Sequence, residues 1–246
     1  MARSVTYDTP GLVDVNQQLL FRSITEQLKT PLLYIARQAE LSKNEETVSP
    51  SVFADMQSYA DMAVKLVDSY LLGLDVAKQQ TLLEIEPVPL SAVLYDVAQE
   101  LAPLARQRNT SIELHLQGKY GQVMANRHGM IAALYSLGAV LSEVTASPRK
   151  IPAVLRIAAH RTPHGIVSGI YIDGVKSFGA SIRRATTLHG NNARSSFTAL
   201  NASASASVFI ADSIFSAMET RLRVSNFRGN AGLAVTLQPS TQLQLV

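Results

Sequence analysis

Between Val13 and Glu46 the chain contains no glycine, and apolar side chains recur at Leu20, Ile24, Leu28, Pro31 and Ile35, in steps of four, four, three and four. That period lines them along one stripe of a helix. After the polar turn Lys43-Asn44-Glu45-Glu46, Ser49-Pro50-Ser51 supplies a capping hydroxyl and a proline in a first helical turn, where its missing N–H is no loss. A second helix is predicted from there. Its apolar positions Val52, Met56, Tyr59, Ala63, Leu66 and Tyr70 step by 4, 3, 4, 3 and 4 residues, a heptad rhythm. Two such helices joined by a short turn form an antiparallel hairpin, which by itself covers only one side of each apolar stripe. A partner hairpin is implied. The simplest source is a second copy, so the expectation is a homodimer whose four-helix seam includes Ile24 and Leu66.

The helical pattern breaks at Glu84-Ile85-Glu86-Pro87-Val88-Pro89, where two prolines mark a linker or a short edge strand. The boundary is placed there, giving a hairpin over residues 1–85 and a second domain over 86–246. Downstream, Ser91 to Arg108 reads as a helix, Ser111 to Leu116 alternates as a strand, Gln122 to Ala125 is a short strand, and Arg127 to Val144 returns to helix. Val154 to Ala159 and Ile166 to Asp173 form a hairpin around the Pro163 and Gly165 turn. A short helix over Ala180 to Leu188, a polar stretch from His189 to Ser207, a helix near Phe209 to Glu219 and two strands, Arg221 to Asn226 and Leu233 to Gln238, complete the order. The fold class is α+β, with helices over one face of a largely antiparallel sheet.

Composition narrows the functional classes. The chain has 246 residues, 47% of them apolar, and 22 Lys+Arg against 19 Asp+Glu leave a net charge of +3. Three excess charges spread over the whole length do not make the basic face of a nucleic-acid binder, so no nucleic-acid partner is expected. With no cysteine there is no disulfide, thiolate zinc site or cysteine nucleophile. The first residues do not read as an export signal and no long uncharged apolar run follows, so a cytoplasmic protein without a membrane segment is expected.

One segment carries a resemblance. Thr25-Glu26-Gln27-Leu28-Lys29-Thr30-Pro31-Leu32 resembles the phosphoacceptor box of sensor histidine kinases, usually Ser-His-Glu-Leu-Arg-Thr-Pro-Leu, and matches it at Leu28, Lys29, Thr30, Pro31 and Leu32. A proline inside an amphipathic helix costs about 3 kcal/mol, which makes the Thr-Pro pair informative. The order of elements resembles the same family over roughly residues 11 to 240. What the resemblance implies is a dimerisation hairpin followed by an α/β sandwich of the histidine kinase ATPase type.

The family's chemical groups are replaced on this alignment. Glu26 stands in the place of the histidine, and the five histidines, His115, His128, His160, His164 and His189, all lie outside the hairpin. A carboxylate does not form the stable phosphoramidate that imidazole forms. Glu26 is then either a fixed negative charge imitating a phosphorylated state or a solvated residue with Lys29 as a weak ion-pair partner. Ser136 and Val140 fall at the two positions where the family places magnesium-binding asparagines, and valine offers Mg²⁺ no oxygen. Asp173-Gly174 resembles the start of the adenine-reading box, but Val175 and Ser177 hold its glycine positions, and the second glycine box maps onto Ala204-Ser205-Ala206-Ser207. Close approach of backbone to phosphate favours glycine.

The expected function is a catalytically inactive, dimeric, histidine-kinase-like signalling scaffold that acts by contact with a receiver domain or an active histidine kinase, without a cofactor. The resemblance places docking on the hairpin around Glu26, Lys29, Thr30, Pro31, Gln38, Ser42, Met62 and Lys65. The alternative is a divergent nucleotide sensor that binds ATP or ADP through Asp173, with phosphate contacts from Lys176, Arg183 and Arg184. His160 and His164, flanking a turn, read as surface residues rather than metal ligands. Arg183, Arg184 and Arg194 read as solvated residues rather than as a basic lid over an anion.

Overall fold

The computed structural model describes residues 11–43, 49–79, 81–116, 118, 120–145, 153–175 and 202–240. Helices α1 (Gly11–Ser42) and α2 (Pro50–Ala77) form the predicted hairpin. Ser49 caps α2 as expected, its hydroxyl accepting from the Ser51 N–H with Pro50 in the first turn. Then follow β1 (Glu86–Pro89), α3 (Leu90–Gln107), β2 (Thr110–Leu116), β3 (Gln122–Ala125), α4 (Arg127–Thr145), β4 (Ala153–Thr162) and β5 (Gly165–Ile172). The chain ends in α5 (Ala202–Ala217), β6 (Arg223–Phe227) and β7 (Asn230–Leu237).

Five strands lie in the order β2-β4-β5-β7-β6, with β2 and β4 parallel and the other neighbours antiparallel. The proline-bearing β1 pairs only with β3, as a two-stranded ribbon where a missing N–H is tolerated. Alternation along the strands sorts the side chains into two faces. Leu155, Ile157, Ile170, Ile172, Leu233 and Val235 point toward the helices and join the main core. Ala158, Tyr171, Phe227 and Ala234 form a small separate cluster on the outer face. Helix α3 contributes Leu90, Val93, Leu94, Val97, Leu101 and Leu104, none more than 3% exposed. Each such side chain contributes about 1.5–3 kcal/mol relative to its exposed state.

Two expectations are corrected. Helix α5 begins at Ala202, several residues before Phe209, because its Ala/Ser run shows no apolar period yet is held by packing against α1, α2 and α4. The hairpin stripe is also covered differently. Met62, Leu66 and Tyr70 belong to the same buried cluster as the sandwich, so the chain's own α4 and α5 supply the cover expected from a second copy. Leu66 is 3% exposed and unavailable to a dimer seam. The short helix expected at 180–188 and most of the polar stretch lie outside the described residues.

Candidate functional site

The phosphoacceptor-like segment lies in the middle of α1, with Pro31 inside the helix. Glu26, Lys29 and Thr30 are exposed, and among the described residues no ion pair joins Glu26 to Lys29. Pro31 is buried. The neighbouring helical positions face inward. Ser23 is fully buried, with its hydroxyl 2.9 Å from that of Tyr70, and the Gln27 amide donates to the Ser207 hydroxyl at 2.8 Å. Tyr70 also lies 3.1 Å from Ser207, so one cluster of hydrogen bonds ties α1 and α2 to the first half of α5. Sequence reasoning placed Tyr70 on the apolar stripe and Ser207 in a polar stretch, and nothing local indicated that they meet.

The remaining docking candidates lie farther along the hairpin. Gln38 and Ser42 are half-buried, and the Ser42 hydroxyl donates back to the Gln38 carbonyl. Lys65 pairs with Glu100 of α3 at 3.4 Å. Met62 is only 4% exposed and floors a groove between α2 and α3. The groove consists of two adjoining depressions of about 410 and 240 Å³ that share Ala54, Ser58, Met62 and Pro103. Tyr34 and Tyr59 stack at its end with ring centroids 3.7 Å apart, and Arg106 lines the wall. Burial, followed by the neighbouring Tyr34 and the Asp55 charge, raises the Tyr59 hydroxyl above its ordinary pKa of 10.0.

On the nucleotide side, Ser136 and Val140 are fully buried in α4. The Ser136 hydroxyl has no hydrogen-bond partner among the described residues, and Val140 is part of the core. Asp173 follows β5 on the side of Tyr171, opposite Ile170 and Ile172, and its carboxylate pairs with Arg156 at 3.1 Å. Arg156 also holds Glu113, whose other neighbour is His115 at 3.1 Å. Hydrogen bonds from His115 and then Arg156 hold the Glu113 carboxyl below its ordinary pKa of 4.5. Asp173 thus belongs to a charged network on the outer sheet face, away from the helices. Lys176, Arg183, Arg184 and Arg194 lie outside the described residues. His164 is exposed in its turn, whereas His160 corrects the surface reading: it is half-buried and stacks on Phe227 at 5.5 Å, and burial lowers its pKa.

The arrangement has solved counterparts. Full-length ShkA, determined in complex with AMPPNP, aligns with 91% of this chain at a TM-score of 0.54 and 16% identity. Histidine kinase ThkA, determined in complex with response regulator protein TrrA, aligns with 87% at a TM-score of 0.50 and 12% identity. The chain has the fold of a histidine kinase core. It spans 46% of the ShkA chain and 60% of the ThkA chain. Acinetobacter baumannii histidine kinase AdeS aligns with 87% of this chain and 97% of its own, with a TM-score of 0.49 and 14% identity. No family model matches the sequence, and no curated protein does. Within the histidine kinase fold, the hairpin and the helical layer of the sandwich here share one core. Among the described residues no helix is long and apolar enough to cross a membrane.

Proposed function

We propose that this chain is a signalling scaffold with a histidine kinase fold that works by occupancy, without phosphoryl transfer. One observation carries the reading: Ser207, in the segment that aligns with the second glycine box, is bonded to Gln27 and Tyr70 of the hairpin. A helix start that receives phosphates keeps its backbone amides open to the ligand. Here Ser207 lies past the first turn of α5, where its own N–H belongs to the helix, and its hydroxyl is engaged with the hairpin. Chemistry at the aligned positions points the same way. Val140 gives a metal ion no donor, Ser136 is a single buried hydroxyl, and Glu26 is not a phosphoramidate-forming group.

The scaffold is a homodimer. With Leu66 and Tyr70 covered within the chain, its seam is formed by the apolar side chains left outward, among them Phe21, Leu32, Val64 and Leu71. Exposed apolar residues repeated along both helices of a hairpin mark an association face. The partner is a receiver domain, which binds around Lys29, Gln38, Ser42 and Lys65 and reaches the groove between α2 and α3. An active histidine kinase is the other partner of the same chemistry. The nucleotide-sensor alternative depends on Asp173, whose carboxylate must leave Arg156 and cross to the other face of the sheet to reach a base beside α4.

Incubation of the purified dimer with γ-labelled ATP and Mg²⁺, alongside calorimetry with Mg-ATP and ADP, tests the reading. The expected outcome is no label on the chain and no heat up to millimolar nucleotide. Label at any residue, or micromolar affinity, overturns it.

A further inference from the structure

We infer that Ser23, Gln27, Tyr70 and Ser207 form a latch that holds the hairpin and the sandwich in a single relative pose and so sets the shape of the groove between α2 and α3. All four side chains are at most 8% exposed, and they come from α1, α2 and α5. The Tyr70 hydroxyl is central, 2.9 Å from Ser23 and 3.1 Å from Ser207, and the Gln27 amide closes the cluster onto Ser207 at 2.8 Å. Apolar contacts alone tolerate sliding and rotation, because dispersion and burial have little direction. Buried hydrogen bonds do not. A pose shifted by one helical step leaves hydroxyls away from both partners and water, and is penalised in proportion.

The steric half of the latch lies one turn farther along α2. A Cβ on Gly73 would stand 2.5 Å from Cγ2 of Ile210, so Ile210 of α5 fits into the slot left by the missing side chain. In the N-terminal half of α2, by contrast, contact with α3 is sparse, and among the described residues the ion pair that crosses the groove is Lys65–Glu100. Their side chains are 41% and 29% exposed. An ion pair this open to water contributes little to holding two walls at a fixed separation. The width of the groove is therefore set from the C-terminal half of α2, by the latch. As regulation of a docking site, this rests on the scaffold reading; as geometry it does not.

The test uses the absence of cysteine from the chain. Gln57→Cys on α2 and Gln99→Cys on α3, both lining the groove, carry a pair of spin labels, and labelled chain is diluted into unlabelled chain so that only distances within one protomer register. The expected result is one narrow distance distribution, which broadens or splits when Tyr70→Phe and Ser207→Ala remove the latch hydroxyls. Each single change is measured as well, so a double variant that unfolds does not decide the matter. A broad distribution in the unaltered latch, or a narrow one that survives both hydroxyl deletions, overturns the inference. A receiver domain that fails to bind leaves these distances unchanged and removes only the docking partner.

Discussion

At the scale of single residues, the outer sheet face shows how position outranks residue type. His160 stacks on Phe227 at 5.5 Å, and His115 approaches the same ring at 6.1 Å. Burial disfavours the imidazolium of His160 and holds its pKa below the ordinary 6.5. The unfolded chain then takes up a proton at a pH where the folded chain does not, so this residue's contribution to stability declines as pH falls through 6.5 toward the folded value. Glu113 works in the same direction at lower pH. Its depressed carboxyl stabilises the fold above 4.5, and that contribution is lost as pH drops through the folded value. An NMR titration of the histidine rings should give His160 a midpoint below 6.5. A midpoint at or above that value contradicts the burial. Asp173 carries the same lesson, because the two-residue period of β5 puts it with Tyr171, opposite the apolar Ile170 and Ile172. A carboxylate that matches a motif in the linear sequence is thereby turned to the other face of the sheet.

At the scale of elements, helix α4 is the spine of the sandwich, buried on nearly all sides from Met130 to Leu141. Gly138 marks its crossing with α3. A Cβ there would meet Cδ1 of Leu101 at 2.4 Å and Cγ at 3.1 Å, inside a core that leaves Leu101 1% exposed. Gly138→Val is expected to destabilise the chain by about 1–3 kcal/mol through overpacking, although it improves helix propensity. Urea denaturation should show a lower midpoint with an unchanged slope. An equal or higher midpoint means that the helices can separate without cost. The tight β6–β7 turn was within reach of sequence reasoning: Arg228 and Gly229 both adopt positive φ, 50° and 80°, as a two-residue hairpin requires. Local propensity instead ends the first strand at Asn226 and opens the second at Leu233, because Asn230, Ala231 and Gly232 are weak strand formers. They are carried by pairing with β6.

At the scale of the whole molecule, the hairpin has two apolar faces with different fates. Leu66 faces the sandwich at 3% exposure, while Val64 and Leu71 face outward at 57% and 53%. Leu66→Asp should therefore unfold or strongly destabilise the chain, since it buries an unpaired carboxylate. For the homodimer proposed above, Val64→Asp with Leu71→Asp should leave circular dichroism unchanged while giving monomer in sedimentation where the unaltered chain gives dimer. A dimer that survives the second pair moves the seam elsewhere. The element types and their order were legible because periods of 3.6 and 2 are written locally. The cover of the hairpin was not, since heptad spacing reports that a stripe is buried and is silent about what buries it.

The sequence by itself determined a helical hairpin, a break at two prolines and an α+β sandwich, because backbone period, capping and turn chemistry act over a few residues. The tertiary structure decided that α5 closes on the hairpin, that Gln27 meets a serine 180 residues away, and that Asp173 faces Arg156. Those outcomes depend on complementary shape and on hydrogen-bond partners that exist only once distant segments have packed together, so no local pattern contains them.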